Sequence, residues 1–434
     1  MPTHLDEVMS QMSRQLELPL GDRGAAPRLV RSEETESAVS GVRTPGLSGL
    51  MERVVDVSNI RTALKRVKRN KGSAGVDGMT VGDLTEHLRW AWPRLREQLL
   101  DGSYKPQPVR EVRLKKPGGG ERMLGIPTVV DRFIQQAILQ VLQPLYDPTF
   151  SEHSYGFRPR RGAHGAVKQA CAFANEGRHV VVDVDLSKFF DRVHHDVLMG
   201  KLAKDIGDKR LLRLIRRYLS VGVMRLGEAK ERHQGTPQGG PLSPLLANIL
   251  LDEVDQELSR RGHAFVRYAD DLNVFVRSQR AGERVMALLR KLFGQLHLVI
   301  NEEKSAVAKV FTRTFLGFAF WRRRGRVEVR VSDKAKKAMK DKVRQLTRRQ
   351  TGRSLQDVAK GLRSFLLGWK NYFRLAETPS VFRSLDEWIR HRLRAIRWKQ
   401  TGRGNWWRHS GTKDFSFKFP IRFFDELGVP QLVS

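Results

Sequence analysis

Apolar positions along this 434-residue chain change period several times, and each change marks an element. Ile60, Leu64 and Val67 fall on one face of a helix capped by Ser58, with Arg61, Lys65, Arg66 and Lys68 pointing elsewhere. That helix runs out at NKGSAGVDGM, where Gly72, Gly75 and Gly78 provide turn geometry. REVRLKKPGGGERMLGI alternates at Arg110, Val112 and Leu114, turns at Pro117-Gly118-Gly119-Gly120 and returns through Arg122-Met123-Leu124. A hairpin with Lys115, Lys116 and Arg122 close to its tip is the natural construction, and a helix rich in Ile, Leu and Val follows from Asp131 to Gln143. Val180 to Val184, and both flanks of FVRYADDLNVFV at 265–276, read as strands. KRLLRLIRRYL predicts a helix with Leu211, Leu212, Ile215 and Leu219 as its stripe. QGTPQGGPLSPLLANILLDEVDQEL passes from a glycine-proline turn into a helix, and Gly235, Gly239 and Gly240 suggest that something bulky approaches the backbone.

The last third reads as three basic amphipathic helices. The first has Met339, Val343 and Leu346 as its apolar side. The second, capped by Ser354, has Leu355, Val358, Leu362, Phe365, Leu366 and Trp369 on one face. The third opens at Thr378-Pro379 and carries Val381, Leu385, Trp388, Ile389 and Leu393. Residues 1–49 are polar and aperiodic and read as a flexible leader.

Composition narrows the class. Hydrophobic residues make up 40%, adequate for packed cores, and the length suits roughly two to four domains. The balance of 79 basic and 47 acidic residues, +32 overall, attracts polyanions, nucleic acid foremost. No run of about eighteen apolar residues argues for a membrane span, and MPTHLDEVMSQMSRQLELPL lacks the regions of a secretion signal. Cys171 is the only cysteine, which excludes an internal disulfide and cysteine-pair zinc sites. The expectation is a cytosolic protein facing nucleic acid.

Acidic residues then interrupt two strands. Asp270 and Asp271 form a two-residue junction that predicts a tight hairpin with both carboxylates at its tip; ordinary Asp turn chemistry is the plainer alternative. Asp183 and Asp185 share a strand face by the two-residue period, where a carboxylate must be paired, hydrated or bound to metal. If Asp185, Asp270 and Asp271 converge, they repel one another unless cations sit among them. Magnesium suits such a place, because carboxylate oxygens and substrate phosphates complete its octahedron. Two ions about 4 Å apart stabilise the attacking and leaving oxygens of an in-line phosphoryl displacement. With a basic hairpin for a triphosphate and basic helices for a duplex, metal-dependent nucleotidyl transfer is the expected chemistry.

YADD at 268–271, DLSKFFD at 185–191 and TPQGGPLSPLLANILLDE at 236–253 resemble blocks of reverse transcriptases, above all the bacterial group II intron-encoded type, also called maturases. NKGSAGVDGMTV, GGGERMLGIPTVVDRFIQQA, SEHSYGFRPRRGAH, LVINEEKSAV, FLGFAF and LLGWKNYFRLAETPSVFRSLDEWIRHRLR extend the resemblance over nearly the whole chain from about Leu50. It implies an α+β right-hand polymerase with an antiparallel palm sheet and a helical thumb or X domain. The implied division is leader 1–49, fingers with an N-terminal extension 50–178, palm 179–325, thumb 326–400 and a nucleic-acid-binding remnant 401–434.

Residue by residue, the resemblance makes Asp185, Asp270 and Asp271 ligands of two Mg2+ ions, with Mn2+ as a substitute, and gives Leu186 a backbone-carbonyl role. Phe190 matches the aromatic gate against a ribose 2′-hydroxyl; Lys116 and Arg122, with Arg110 as third member, match a triphosphate clamp. Gln238 and Gly239 line the nucleotide pocket, and Lys304 falls at a general-acid position for pyrophosphate. Asp183 has no such counterpart and is read as a paired strand carboxylate. The implied activity is RNA-directed DNA synthesis, with binding of a parent intron RNA and assistance to its splicing in intron mobility. The implied partners are RNA template, DNA primer or target and deoxynucleoside triphosphates, in a bacterial cytoplasm near the nucleoid and without a membrane.

Two departures stand out. Against the family pattern, no cysteine-paired HNH endonuclease is read at the C-terminus, and RWKQ at 397–400 runs almost directly into TGRGNWWRHS and DFSFKFP, which reads as a shortened connecting stretch after the third thumb helix. There Trp406, Trp407, Phe415, Phe417 and Phe419 either stack on bases or pack into the thumb. The alternatives are a host-serving enzyme of this type for repair or defence, and an RNA-binding splicing factor with a vestigial polymerase. An intact triad, gate and clamp count against the last.

Overall fold

Helices begin where the apolar spacing begins: α1 (Leu50–Val54), α2 (Val57–Asn70) and α3 (Leu84–Leu100) precede strands β1 (Val109–Lys115) and β2 (Glu121–Ile126). Helices α4 (Val129–Tyr146) and α5 (Ala163–Asn175) lead to β3 (Val180–Val184), the single turn α6 (Phe189–Arg192), α7 (His195–Asp205) and α8 (Lys209–Ser220). Short strands β4 (Val223–Arg225) and β5 (Glu228–Lys230) precede α9 (Ser243–Arg260), β6 (Ala264–Tyr268), β7 (Asp271–Val276), α10 (Gln279–Gln295) and β8 (Ala306–Lys309). The remaining elements are β9 (Thr314–Phe315), β10 (Phe318–Arg323), β11 (Arg326–Val331), α11 (Asp333–Leu346), α12 (Leu355–Phe373) and α13 (Pro379–Gln400). This computed structural model describes residues 48–115, 121–225, 228–230, 235, 239–348, 352–400 and 428–432. Trp406, Trp407, Phe415, Phe417 and Phe419 lie outside the described residues.

The class is α+β. Among the described residues, three sheets have the strand orders β2-β1-β4-β5, β6-β7-β3-β8 and β11-β10-β9. The basic hairpin pairs antiparallel as its alternation requires, with Arg110 opposite Ile126 and Leu114 opposite Arg122, and β1 adds a short parallel pairing to β4. The chain divides into two compact units. One takes the described residues of Met1–Gly162, Val182–Val274 and Glu283–Ala306; the other takes those of Ala163–Val181, Phe275–Gly282 and Val307–Ser434.

Within the first unit, α2 is capped two residues earlier than its sequence suggests. The Asp56 carboxylate, not the Ser58 hydroxyl, accepts from the amides of Ser58 (2.8 Å) and Asn59 (3.4 Å). Its buried face is Ala63 and Val67, with Ile60 and Leu64 half-covered. In α8 the buried stripe is Leu211, Leu214, Ile215, Tyr218 and Leu219, leaving Leu212 half-covered. Thr128 caps α4, and the buried Asp131 behind it accepts from Thr128 Oγ1 (2.7 Å), Tyr104 Oη (2.8 Å), the Gln107 amide (3.2 Å) and Tyr218 Oη (3.3 Å). Burial still pushes that carboxyl above the ordinary range, with all four bonds pulling it down.

In the second unit, Asn175 ties α5 to β11 by donating to the Val327 carbonyl (3.0 Å) and accepting from the Val327 amide (2.8 Å). Ser354 caps α12 as expected, accepting from the Asp357 amide (3.1 Å). The core of α13 is Phe382, Leu385, Ile389, Leu393 and Ile396. Trp388, expected in that stripe, is half-exposed, and Lys340, Arg344 and Arg392 stand 5.4–5.7 Å from its ring centre. An indole face attracts cations as well as apolar neighbours, so the basic side of α11 competes for it.

The glycine-rich loop after α2 lies flat on the start of α4. A Cβ on Gly75 would come within 2.6 Å of Thr128 Cα and 2.8 Å of its amide nitrogen, both backbone atoms that cannot rotate away. Gly75→Ala is expected to cost about 1–3 kcal/mol through overpacking, read as a lower urea midpoint at unchanged slope.

Candidate active site

Strand β3 ends at Val184, so Asp185 stands one residue past it rather than within it. Its position is set by the backbone instead. The Asp185 carbonyl accepts from the Asn301 amide (2.8 Å), and its own amide donates to Ser305 Oγ (3.0 Å). Ser187 donates to the Val299 carbonyl (2.8 Å), and Leu186 faces Ile300 in an isolated antiparallel bridge. In that pattern the bonds run from residues either side of the facing pair, so the Leu186 carbonyl points away from residues 299–301. The side chain of Asp185 meets Asn301 Nδ2 (3.4 Å) and Lys304 Nζ (3.2 Å).

The acidic hairpin differs from its expected form by one residue. Its two-residue turn is Ala269-Asp270, and Asp271 already opens β7. Ala269 takes a positive φ of 58°, a conformation that costs a residue with a Cβ about 1–2 kcal/mol. It is held there from two sides. Arg267 Nη1 donates to the Ala269 carbonyl (3.0 Å), and the backbone of Gly156 presses so close that a Cβ there would sit 2.2 Å from the Ala269 nitrogen.

The two acidic segments act on each other. Asp271 meets solvent, yet the protein packed around its carboxyl, then Asp270, Asp185 and Asp183, push it up to about 7, with Lys304 opposing. Asp183, read from the sequence as a paired strand carboxylate, thus also adds to the field. Among the described residues no three His, Cys, Asp or Glu side chains close around one point as a cage. Magnesium does not require one: it binds through one or two carboxylates and completes its shell with water and phosphate oxygens. A set of hard oxygens whose mutual repulsion already favours a shared cation fits that ion. Asp185, Asp270, Asp271 and the Leu186 carbonyl are the groups that would hold it.

Of the residues that the sequence resemblance assigns to the nucleotide, Phe190 in α6 is half-exposed and packs edge-to-face on the buried Phe189, with ring centres 5.1 Å apart. Arg110 in β1 is half-buried, and its Nε is buried without a hydrogen-bond partner among the described residues. Arg122 lies in β2, placed by its backbone, while Lys116 and Gln238 fall outside the described residues. The three glycines before α9 admit the protein's own chain. A Cβ on Gly239 would come within 2.8 Å of the Gly125 carbonyl, on Gly235 within 2.9 Å of the Asp191 carbonyl, and on Gly240 within 2.3 Å of Gln135 Oε1. Gly239 is thereby seated against β2, the strand that carries Arg122.

Residues 114–320 match the family described as reverse transcriptase (RNA-dependent DNA polymerase), and residues 336–414 match the group II intron maturase-specific domain. Protein YkfC of Escherichia coli K12 is 34% identical over 300 residues, covering 59% of this chain and 78% of that protein. The group II intron-encoded protein LtrA of Lactococcus lactis subsp. cremoris is 39% identical over 198 residues, 45% of this chain but only 32% of LtrA. The chain belongs to the group II intron reverse transcriptase/maturase family. Among solved structures, a Cas6-RT-Cas1–Cas2 complex is 24% identical over 59% of this chain and 43% of that chain, with a TM-score of 0.37.

The polymerase match encloses Asp185, Leu186, Phe190, Gly239, Asp270, Asp271 and Lys304 and begins just after Arg110. What the sequence reading of this reverse transcriptase missed is the support around them: Asn301 and Ser305 behind Asp185, and Arg267 and Gly156 around the turn. Their motifs, LVINEEKSAV and SEHSYGFRPRRGAH, were visible. The contacts of Asn301, Ser305 and Gly156 were not, because each lies across about 110 residues of intervening chain or more, and the local bond from Arg267 to Ala269 depends on how the turn is bent.

The raised Asp271 carboxyl has a pH consequence. Between its ordinary 3.8 and about 7 the metal-free native state holds a proton that the unfolded chain has released, so this group's contribution to stability falls as pH rises through that window. Thermal melts of metal-free protein and of Asp271→Asn are expected to differ increasingly as pH rises through about 7, the variant losing that decline. Magnesium must displace the same proton, so its stabilising effect on the unsubstituted protein is expected to grow over the same range; an effect independent of pH sinks the assignment.

Proposed function

We propose that the chain extends a primer 3′-hydroxyl along an RNA template with deoxynucleoside triphosphates, and that Asp185, Asp270 and Asp271 carry the chemical step. The observation that supports this most directly is that carboxylates from two segments some 85 residues apart act on one another: after burial, Asp270, Asp185 and Asp183 help to raise Asp271 to about 7. Magnesium, when bound, supplies charge for the attacking and leaving oxygens of the α-phosphate displacement. Asp185, Asp270 and Asp271 would hold that charge in place, Asp271 less directly than the other two. Arg110, with Lys116 and Arg122, is assigned to the triphosphate, Phe190 to discrimination against a ribose 2′-hydroxyl, and Gln238 and Gly239 to the floor of the nucleotide pocket. The domains are assigned as fingers 50–178, palm 179–325 and thumb 326–400.

Lys304 stands 3.2 Å from Asp185, a counter-charge to that carboxylate in the absence of substrate. To protonate departing pyrophosphate its ammonium must leave Asp185, and with the lysine 65% exposed the pair contributes little stability. Lys304→Ala is therefore expected to slow nucleotide addition by about 10²-fold while leaving the melting temperature in place. A normal single-turnover rate in that variant removes Lys304 from the mechanism.

A second reading rests on the maturase-specific match and on Trp388 ringed by three cations, features of the 336–414 segment rather than of the carboxylates. We assign intron-RNA binding to this basic helical surface, where affinity follows phosphate neutralisation and weakens with salt. Asp185→Ala and Asp270→Ala are expected to abolish primer extension in magnesium and to leave RNA affinity and its salt slope unchanged. Retained synthesis by either variant refutes the catalytic assignment, and loss of RNA binding refutes the separation of the two roles.

A further inference from the structure

Arg267 is the largest fully buried side chain among the described residues, and nothing in nucleotide chemistry calls for it there. Its partner Asp255, on α9, is likewise fully enclosed. Arg267 Nε donates to Asp255 Oδ1 (2.8 Å) and Oδ2 (2.9 Å), and Nη2 donates to Oδ2 (2.5 Å). Nη1 divides its two donors between Asn248 Oδ1 (2.9 Å), also on α9, and the Ala269 carbonyl in the acidic turn (3.0 Å). A buried ion pair of this kind adds little net stability over apolar packing, so its value lies in the geometry it dictates. A guanidinium is planar with a rigid donor fork, which makes it a template linking a helix to a turn.

The opposite side of the turn is built as deliberately. Asn248, while accepting from Arg267, donates through Nδ2 to the Gly156 carbonyl (2.9 Å). Ser154 pairs with Arg267 in a parallel bridge, with Tyr155 N donating to the Arg267 carbonyl (2.9 Å) and Arg267 N to the His153 carbonyl (2.9 Å). The buried Arg158 locks this SEHSYGFR segment by donating to the carbonyls of Ser151 (2.6 Å), Ser154 (3.0 Å) and Asp147 (2.7 Å) and to the Asp147 carboxylate (2.8 Å). Gly156 is thus fixed in contact with Ala269, where any side chain would collide with the turn.

We propose that Arg267, oriented by Asp255 and Asn248, is a positioning residue for catalysis: with Gly156 behind the turn it holds Ala269 left-handed and so aims Asp270 and Asp271 toward Asp185. The inference rests on the assignment of those carboxylates to nucleotidyl transfer. Without the clamp Ala269 relaxes toward negative φ, and the two aspartates that follow it turn with it.

The test uses Asn248→Ala, which leaves the ion pair whole, and Arg267→Lys, which keeps the charge beside Asp255 but replaces the planar fork that spans Asp255, Asn248 and the Ala269 carbonyl with a single nitrogen. Steady-state primer extension, template-primer affinity and thermal melts are measured on the full chain. In folded variants kcat is expected to fall about 10- to 100-fold, as for a small misplacement of reacting groups, while the KM for nucleotide and the Kd for template-primer stay within about twofold. The magnesium concentration for half-maximal rate is expected to rise about five- to tenfold, and excess magnesium to recover part of the lost rate. Folded Asn248→Ala with normal kcat and magnesium requirement overturns the proposal. So does a loss in which kcat, affinity and melting temperature decline together, the mark of a purely structural role. If Arg267→Lys does not fold, Asn248→Ala alone decides. Failure of the unsubstituted protein to extend a primer defeats the underlying catalytic assignment instead, a result separable from either outcome above.

Discussion

Carboxylates that repel one another must be kept close, and the architecture around them follows from that constraint. Asp185 reaches its place by backbone pairing with residues 299–301, not by side-chain packing, so its position survives the repulsion from Asp270 and Asp271. The opposing pair rides on a turn that Ala269 would not adopt unaided. Each side of the site is therefore fixed by bonds that do not involve the charges themselves. Burial and the unfavourable field that remains together raise the Asp271 carboxyl, and a divalent cation bound there would relieve that field.

Charge is handled in two opposite ways elsewhere in the chain. Arg267 and Asp255 are sealed from water and satisfy each other, which suits a fixed mechanical part. The cations around Trp388 lie along a helical surface where like charges gather beside an aromatic ring. Such a surface lowers its self-repulsion by taking up a polyanion, as the net charge of +32 anticipates for the molecule as a whole. The first arrangement serves geometry and the second serves affinity, so substitutions at the two should separate rate from binding.

Close approach of backbone to backbone recurs wherever the chain needs precision. Gly75 lies on the start of α4, Gly156 behind the acidic turn, and Gly239 against the strand carrying Arg122. The reading of Gly235, Gly239 and Gly240 as room for a bulky group was right in kind, since space is what they supply. The occupant is the protein itself, as far as the contacts of these three residues go. A glycine signals proximity without naming its partner, because the missing side chain leaves no chemistry to read.

Local pattern alone determined much of this protein. Alternation and helical spacing placed the basic hairpin, the strand before Asp185, the strands around the acidic junction and the basic helices of the last third, since periodicity reports which face meets the core. The order of motifs named the family and the residues to examine. Finer choices needed the third dimension: that Asp56 rather than Ser58 caps α2, that the turn falls at Ala269-Asp270, that Trp388 faces cations, and that Asp183 joins the field on Asp271. Each depends on a neighbour distant in sequence or on competition between equally plausible partners. Repulsion among Asp185, Asp270 and Asp271, and the Gly156 backbone that closes the turn opposite Arg267, exist only after folding has brought segments about 85 to 110 residues apart within reach, a distance in space that spacing along the chain does not encode.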